Sequence, residues 1–577
     1  MRPARARLPF AGMSLNERDV VVVGGGHNGL ACAIYLAKAG LDVLVLERCD
    51  QVGGAAVTEE SFPGYRVSTN AYVVSLMPDR IVEELGLKRF GYEVSVITPD
   101  YFVPFPDGSS LTLWGDVTRD AANIARLNEA DAEAYVAFDT YFEHIADLMK
   151  TLLFLVPPNM KAGEVLNWAR TGARFRGWTG RDIHELVRLF TMSAADFLDE
   201  WFRDERVKGA LATQAIVGAW GGPMSPGSAH TLMHHWIGEI DGHFGAWGWV
   251  KGGMGGVSDA MRRSAEGAGA EVRTGQRVAK VSVNPHGRAV GVELDDGSLI
   301  RAKRVVSNVH PRTTYLDLVG RDRLAAEVVR DVERYRSRSG SVKVHLALSR
   351  LPEFPSWDQD GDPHRGLIAT SPSMEYLERA FDDAKYGRAS AHPYTEIVFP
   401  TAHEPTSLAP EGKHLGIGFS QWGPYELRDT TWEEERQAYG ARVIAEFERY
   451  APGFGGLVEQ VDVLAPPDIE RRTGMVGGNI MHGELTPDQM FSFRPIPMYG
   501  DYRTPIAGLY LCGAGTHPGG GVMGIAGRNA STVVLKDVKR GDLEARLNEA
   551  GTKVADGIER VRDRLGLRHG TASGNRR

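Results

Sequence analysis

The chain has 577 residues, 42% of them hydrophobic and 24% charged, with a net charge of −8 and a pI near 6.1. This is the composition of an ordinary globular protein, and its acidity argues against nucleic acid as a partner, because a phosphate backbone requires a basic face. The length predicts two domains. The three cysteines, Cys32, Cys49 and Cys512, form no C-x-x-C pair. That argues against a disulfide framework and a dithiol redox centre, and favours a reducing, cytoplasmic setting.

In chain order, the opening MRPARARLPFAG carries three arginines and no acid. It reads as a short leader with Met13 as an alternative start, because a transit peptide would be longer and richer in serine. Residues 1–18 are expected to form a flexible tail. Residues 19–47 read as a βαβ unit. Val20 to Val23 is a β-branched run suited to a strand buried on both faces. Gly24-x-Gly26-x-x-Gly29 follows, then a helical stretch ending at Gly40, then a second apolar strand closed by Glu47.

In such a loop, Gly24 permits a tight turn. Gly26 lets backbone approach a pyrophosphate, and Gly29 lets helix and strand pack closely. The helix N-terminus favours the phosphates, and Glu47 can accept bonds from ribose hydroxyls while repelling a 2′-phosphate. The motif alone is weak evidence. Strand, helix, second strand and terminal acid in the right order make it strong.

Residues 76–249 look largely helical and unlike further turns of a nucleotide-binding sheet, so they read as an inserted cap or substrate domain. Near Lys251 the nucleotide-binding pattern returns, with a glycine loop, a helix and a hairpin turning at Asp296-Gly297. A second insertion, 313–490, holds strand-like pieces such as SVKVHLAL. The expected cofactor domain is therefore discontinuous, over 19–75, 250–312 and 491–545, with 546–577 as a second tail. No apolar run reaches the roughly eighteen residues that a spanning helix needs.

Near the C-terminus, Gly508-Leu-Tyr-Leu-Cys-Gly513 reads as a buried strand entering the loop THPGGGVMGIAG, which opens a helix. Such a unit can offer backbone N–H groups to a second polar part of the same ligand. With ERCDQVGGAA after the first βαβ unit, these segments resemble the phytoene desaturase-like carotenoid oxidoreductases. The likeness is closest to the branch with desaturase-type β-carotene ketolases and pyridine nucleotide-disulphide oxidoreductase domain-containing protein 2. It touches the start, middle and end of the chain in order.

The resemblance implies an α/β fold, with a Rossmann-like FAD-binding domain of the glutathione-reductase and amine-oxidase superfamily and an inserted α+β substrate domain. It places FAD against Gly24, Gly26, Asn28, Gly29, Glu47, Arg48, Gly53 and Gly54, with the Val278 backbone at the adenine. Gly513, Gly520, Gly521, Val522 and Met523 would surround the flavin.

Catalytic side chains are hard to find by residue type, because the cofactor carries the difficult chemistry. Candidates are His517 in the C-terminal loop, His235 and His482. His230, His234, Trp236, Trp247 and Trp249 are candidates for a substrate wall, with ordinary core packing as the competing reading. His230 and His234 have a zinc-like spacing, but no H-E-x-x-H and no clear third ligand accompany them, so no metal is expected. The expected function is FAD-dependent oxidation of a small hydrophobic, isoprenoid or carotenoid-like substrate, with oxygen, quinone or NAD(P) as external acceptor and peripheral membrane contact. Two alternatives remain open: an amine oxidase-like enzyme for a small polar substrate, and a flavin-binding protein that works through partners.

Overall fold

The structure is a computed structural model that describes residues 17–159, 169 and 171–541. Val20–Val23 and Val43–Leu46 are buried along their whole length, the condition of parallel strands covered on both faces. They form the centre of a five-stranded parallel sheet. Its order is Glu271–Arg273, Val43–Leu46, Val20–Val23, Val305–Ser307 and Leu509–Leu511. The helix His27–Lys38 covers one face, and Gly40 beyond its end takes φ +89°.

Val278–Val283, Ala289–Leu294 and Leu299–Ala302 form an antiparallel meander, and Gly297 turns one hairpin at φ +81°. Glu17–Arg18, expected in a tail, instead pair in parallel with Arg301 and Ala302. Arg18 is anchored there by Asp42 at 3.0 Å and by Glu271. The residues before them and those after 541 lie outside the described ones.

A second, seven-stranded sheet draws on both long insertions. Its order is Val458–Leu464, Ser341–Leu348, His414–Gln421, Tyr394–Val398, Leu367–Ala369, Tyr101–Pro104 and Ser110–Leu113. The first insertion is therefore less helical than its composition suggests. Its long helix Glu129–Leu153 is present, capped by Asn128 on the Asp131 N–H at 3.1 Å. A hairpin precedes it, however, closed over Asp107-Gly108 by a Phe105 N–H to Ser109 carbonyl bond of 2.9 Å. Pro104 and Pro106, just before that turn, mask the strand pattern in sequence.

Ser341–Leu348 alternates apolar and polar residues, yet every position is buried. Val342, Val344 and Leu346 pack with Tyr439, Val443 and Phe447 of the helix Trp432–Glu448. Ser341, Lys343 and His345 take the opposite face, as the two-residue period of a strand requires.

Candidate active site

At the C-terminal ends of the parallel strands, where open α/β sheets bind ligands, lies a cavity of about 860 Å³. Its floor is the first glycine loop. Gly24 turns at φ +96°, and the helix after Gly26 starts without a side-chain cap, which leaves its first-turn N–H groups free for a ligand. A Cβ at Gly29 would lie 2.2 Å from the Gly24 carbonyl oxygen, so only glycine lets the helix approach the loop this closely. The segment after Glu47 runs alongside. Gly53 bridges Gly26 in parallel, and its N–H reaches the Gly25 carbonyl at 2.9 Å.

The buried Glu47 carboxylate accepts the Gly25 N–H at 2.8 Å and the Cys49 N–H at 2.9 Å. Each oxygen keeps a further lone pair for the cavity. Asn28, Arg48, Gly54 and Val278 line the same space, and Arg48 also donates to the Arg472 carbonyl at 3.2 Å. Asn70, His310, His482 and Ala514 line it too.

Four shielded polar atoms of lining residues have no protein partner: His27 Nε2, Asn28 Oδ1, Asn70 Oδ1 and His482 Nδ1. A buried polar atom left unpaired costs about 1–3 kcal/mol. Their common placement fits a long, polar ligand with a diphosphate at the helix terminus. Burial holds His27 near a pKa of about 4 and His482 near about 3. Both rings are therefore neutral, able to donate from one nitrogen and accept at the other.

The second glycine loop is split. Ala514 reaches the cleft, and Gly513 packs behind it against the Asn308 backbone. Gly520, Gly521, Val522 and Met523 do not line the cleft. Gly520 and Gly521 press on Met481 and Leu76, and Val522 is half-buried against the main core. Met523 instead lines a second cavity, of about 490 Å³, with Leu76, Leu153, Phe154 and Ile237. The two loops meet where Gly527, on the helix that follows the second loop, packs against the Asn28 carbonyl of the first.

The other candidates separate. His482 lines the cleft at φ +55°, and its carbonyl accepts from Tyr335 Oη at 2.8 Å. His517 does not line it. Its Nε2 bonds the Leu152 carbonyl at 2.9 Å, its ring stacks on Phe491, and burial lowers its pKa to about 4. His234 bonds the Gly520 carbonyl at 3.2 Å, whereas His230 stacks on Phe190 with ring centroids 4.4 Å apart.

His235, Trp236 and Trp247 line a third cavity, and Trp249 donates to Glu404 at 2.7 Å. The five substrate-wall candidates, His230, His234, Trp236, Trp247 and Trp249, therefore form no common wall of the cleft, and the helix turns His234 and the neighbouring His235 about 100° apart. No group of three metal-ligating side chains is arranged to hold an ion among the described residues.

Two arrangements escape sequence reasoning. Arg494 is fully buried and faces carbonyls rather than an acid. Its Nη2 donates to Met481 at 2.7 Å and to Ala514 at 2.9 Å, and its Nη1 to Glu484 at 3.2 Å. It thereby ties the second glycine loop to the His482 segment. The inner face of the seven-stranded sheet carries a buried polar cluster. Lys343, Phe419 and Glu396 are direct cross-strand neighbours.

Glu396 accepts from Tyr72 and, at 3.3 Å, from Tyr394, whose hydroxyl meets that of Tyr101 at 3.1 Å. Lys343 Nζ lies 3.7 Å from the Tyr72 ring centroid and has no hydrogen-bond partner, and burial pushes its pKa well below the usual range. In sequence, a lysine inside an alternating strand reads as a solvent-facing residue, so the signal was misleading.

Comparison with known proteins accounts for this arrangement. The family model described as "Flavin containing amine oxidoreductase" matches residues 29–446. Pyridine nucleotide-disulfide oxidoreductase domain-containing protein 2 of Rattus norvegicus is 38% identical, covering 91% of this chain and 94% of the relative. A limonene dehydrogenase component of Castellaniella defragrans is 29% identical, over 91% and 95%. Phytoene desaturase (lycopene-forming) of Pantoea ananas is 26% identical, over 90% and 99%.

Cyclohexylamine oxidase from Brevibacterium oxydans shares the fold, with a TM-score of 0.54 at 16% identity, covering 91% of this chain and all of that one. With the glycine loops, the unpaired cleft atoms and the family match in agreement, this chain belongs to the flavin containing amine oxidoreductase family and is an FAD-dependent oxidoreductase.

Proposed function

We propose that the chain oxidises a small hydrophobic molecule, isoprenoid or carotenoid-like, by hydride transfer to FAD. The observation that carries this reading is the cavity of about 490 Å³ at Met523, lined on its apolar side by Leu76, Pro78, Leu153, Phe154 and Ile237 and on its polar side by Asp79, Arg80, Thr151 and the Lys150–Glu239 ion pair. The apolar side suits the hydrocarbon body of a ligand, and Leu76 on that side touches the glycine loop at Gly521. The substrates named for the limonene and phytoene enzymes point the same way.

FAD, when bound, supplies the hydride acceptor. The residues present would hold it in one orientation. Glu47 would take the ribose, and the free N–H groups after Gly26 the diphosphate. Val278 would face the adenine, and Asn70, His482 and Ala514 the flavin. Electrons leave to an external acceptor, which is oxygen, a quinone or NAD(P). A membrane-dissolved substrate would require peripheral contact with the bilayer, and no helix among the described residues is long and apolar enough to cross one.

The test is anaerobic mixing of the FAD-loaded protein with phytoene, β-carotene and a cyclic monoterpene in detergent, followed by the flavin spectrum. Bleaching by one of them, with a shifted product spectrum, supports the reading. No bleaching by any of them, with peroxide formed from a small amine in air, would overturn it in favour of amine oxidation, the activity in the family's name.

A further inference from the structure

The third cavity, about 360 Å³, lies among the helices Val117–Ala125, Glu129–Leu153 and Ser228–Trp236 and shares no lining residue with the cofactor cleft. Five carboxyl groups line it: Asp100, Asp116, Asp120, Asp139 and Glu143. Among the described residues that line it there is no lysine or arginine. Buried like charges without a cation are costly, and the groups respond by holding protons. Burial, and then the neighbouring Asp120, push Asp100 up to about 8. Asp120 rises to about 7 through burial, against the Trp114 N–H that stabilises its charge.

Two shielded acceptor atoms of lining residues have no partner, Oδ1 of Asp100 and Oε1 of Gln214, the latter on a residue only 9% exposed. His235 adds no positive charge, because burial lowers its pKa to about 4 while its Nδ1 is held by the Thr231 carbonyl at 2.9 Å. Trp236, Trp247 and Tyr135 supply aromatic surface to the same cavity.

We propose that this cavity is a binding site for a small organic ammonium ion, with its charge seated between Asp100 and Asp120 and its hydrocarbon against Trp236 and Trp247. The chemistry is complementary on every side. A bound cation draws the protons off Asp100 and Asp120, whose carboxylates then accept its N–H donors together with the Gln214 oxygen, and a ring face attracts a cation by about 0.5–2 kcal/mol. A bare metal ion makes no use of the aromatic wall, and no group of three ligating side chains with metal geometry exists among the described residues. One helix serves both regions, since His234 reaches the Gly520 carbonyl and His235 borders this cavity. The inference does not depend on which substrate the flavin oxidises.

The experiment is calorimetric titration of the FAD-loaded full chain with benzylammonium chloride, with benzyl alcohol as the neutral isostere and calcium chloride as the metal control. Asp120→Asn and, as a second variant at a less buried position, Asp139→Asn are titrated in parallel, each with its FAD content checked. Benzylammonium should bind at least about ten-fold more tightly than the alcohol, and each variant should lose about ten-fold. The flavin spectrum should stay unchanged throughout. Equal affinity for the alcohol, binding indifferent to both variants, displacement by calcium, or bleaching of the flavin by benzylammonium would each overturn the assignment.

Discussion

Replacing Arg494 tests whether a single buried cation holds the flavin end of the cleft together. Arg494→Met keeps most of the volume and removes every donor. Two of the lost bonds are short, to the Met481 carbonyl at 2.7 Å and the Ala514 carbonyl at 2.9 Å. Bonds from a charged donor contribute about 1.5–3 kcal/mol each, which gives about 3–6 kcal/mol gross. The guanidinium is itself costly to bury, which offsets part of that gain, so a net loss of about 2–4 kcal/mol is expected, mostly from the carbonyls left unpaired.

Arg494→Lys retains the charge but not the planar fork that reaches both segments, so it should fall between wild type and Arg494→Met. The assay is urea unfolding followed by tryptophan fluorescence, with FAD retention after gel filtration read on the same samples. Because Ala514 lines the cleft, cofactor retention should fall with stability. Unfolding midpoints that coincide for all three proteins, with full FAD retained, would refute the idea that Arg494 ties the loop to the His482 segment.

Glu47→Ala removes the acceptor of the Gly25 N–H, and FAD affinity should drop roughly 10- to 100-fold, equivalent to about 1.5–3 kcal/mol, in a fluorescence titration of the apoprotein. Gly29→Ala places a Cβ 2.2 Å from the Gly24 oxygen, so it should destabilise the protein by about 1–3 kcal/mol and purify with less FAD. Asp100 titrates near 3.8 when unfolded and near 8 when folded. The folded state therefore holds the extra proton across that window, and stability falls as pH rises through it. Asp100→Asn should remove part of that fall, and a melting series across the window reads it directly.

The cofactor loop was legible because its signals are local. The run Val20 to Val23, the three glycines and Glu47 lie within one βαβ unit, and each residue type has a conformational reason to be there. The second loop was half legible. Its strand and turn are local, but which of its glycines face the ligand depends on Met481 and Leu76, far off in sequence. The histidines misled for the same reason. His517 and His482 look alike as isolated residues, and only the approach of Leu152 and the left-handed turn at His482 separate them. Arg494 and Glu396 carried no readable signal and Lys343 a misleading one, because cross-strand register and carbonyl convergence are created by the fold.

The order of the parallel sheet also bears on how the protein is made. Val305–Ser307 stays an open edge until Leu509–Leu511 has been synthesised, because that strand is its outer partner. The ribosome must add about two hundred residues in between, which takes tens of seconds at typical elongation rates. An unpaired apolar edge invites association with other chains. An edge left open this long is the kind that chaperones shield during synthesis, and a chain stopped before residue 509 lacks the strand that covers it.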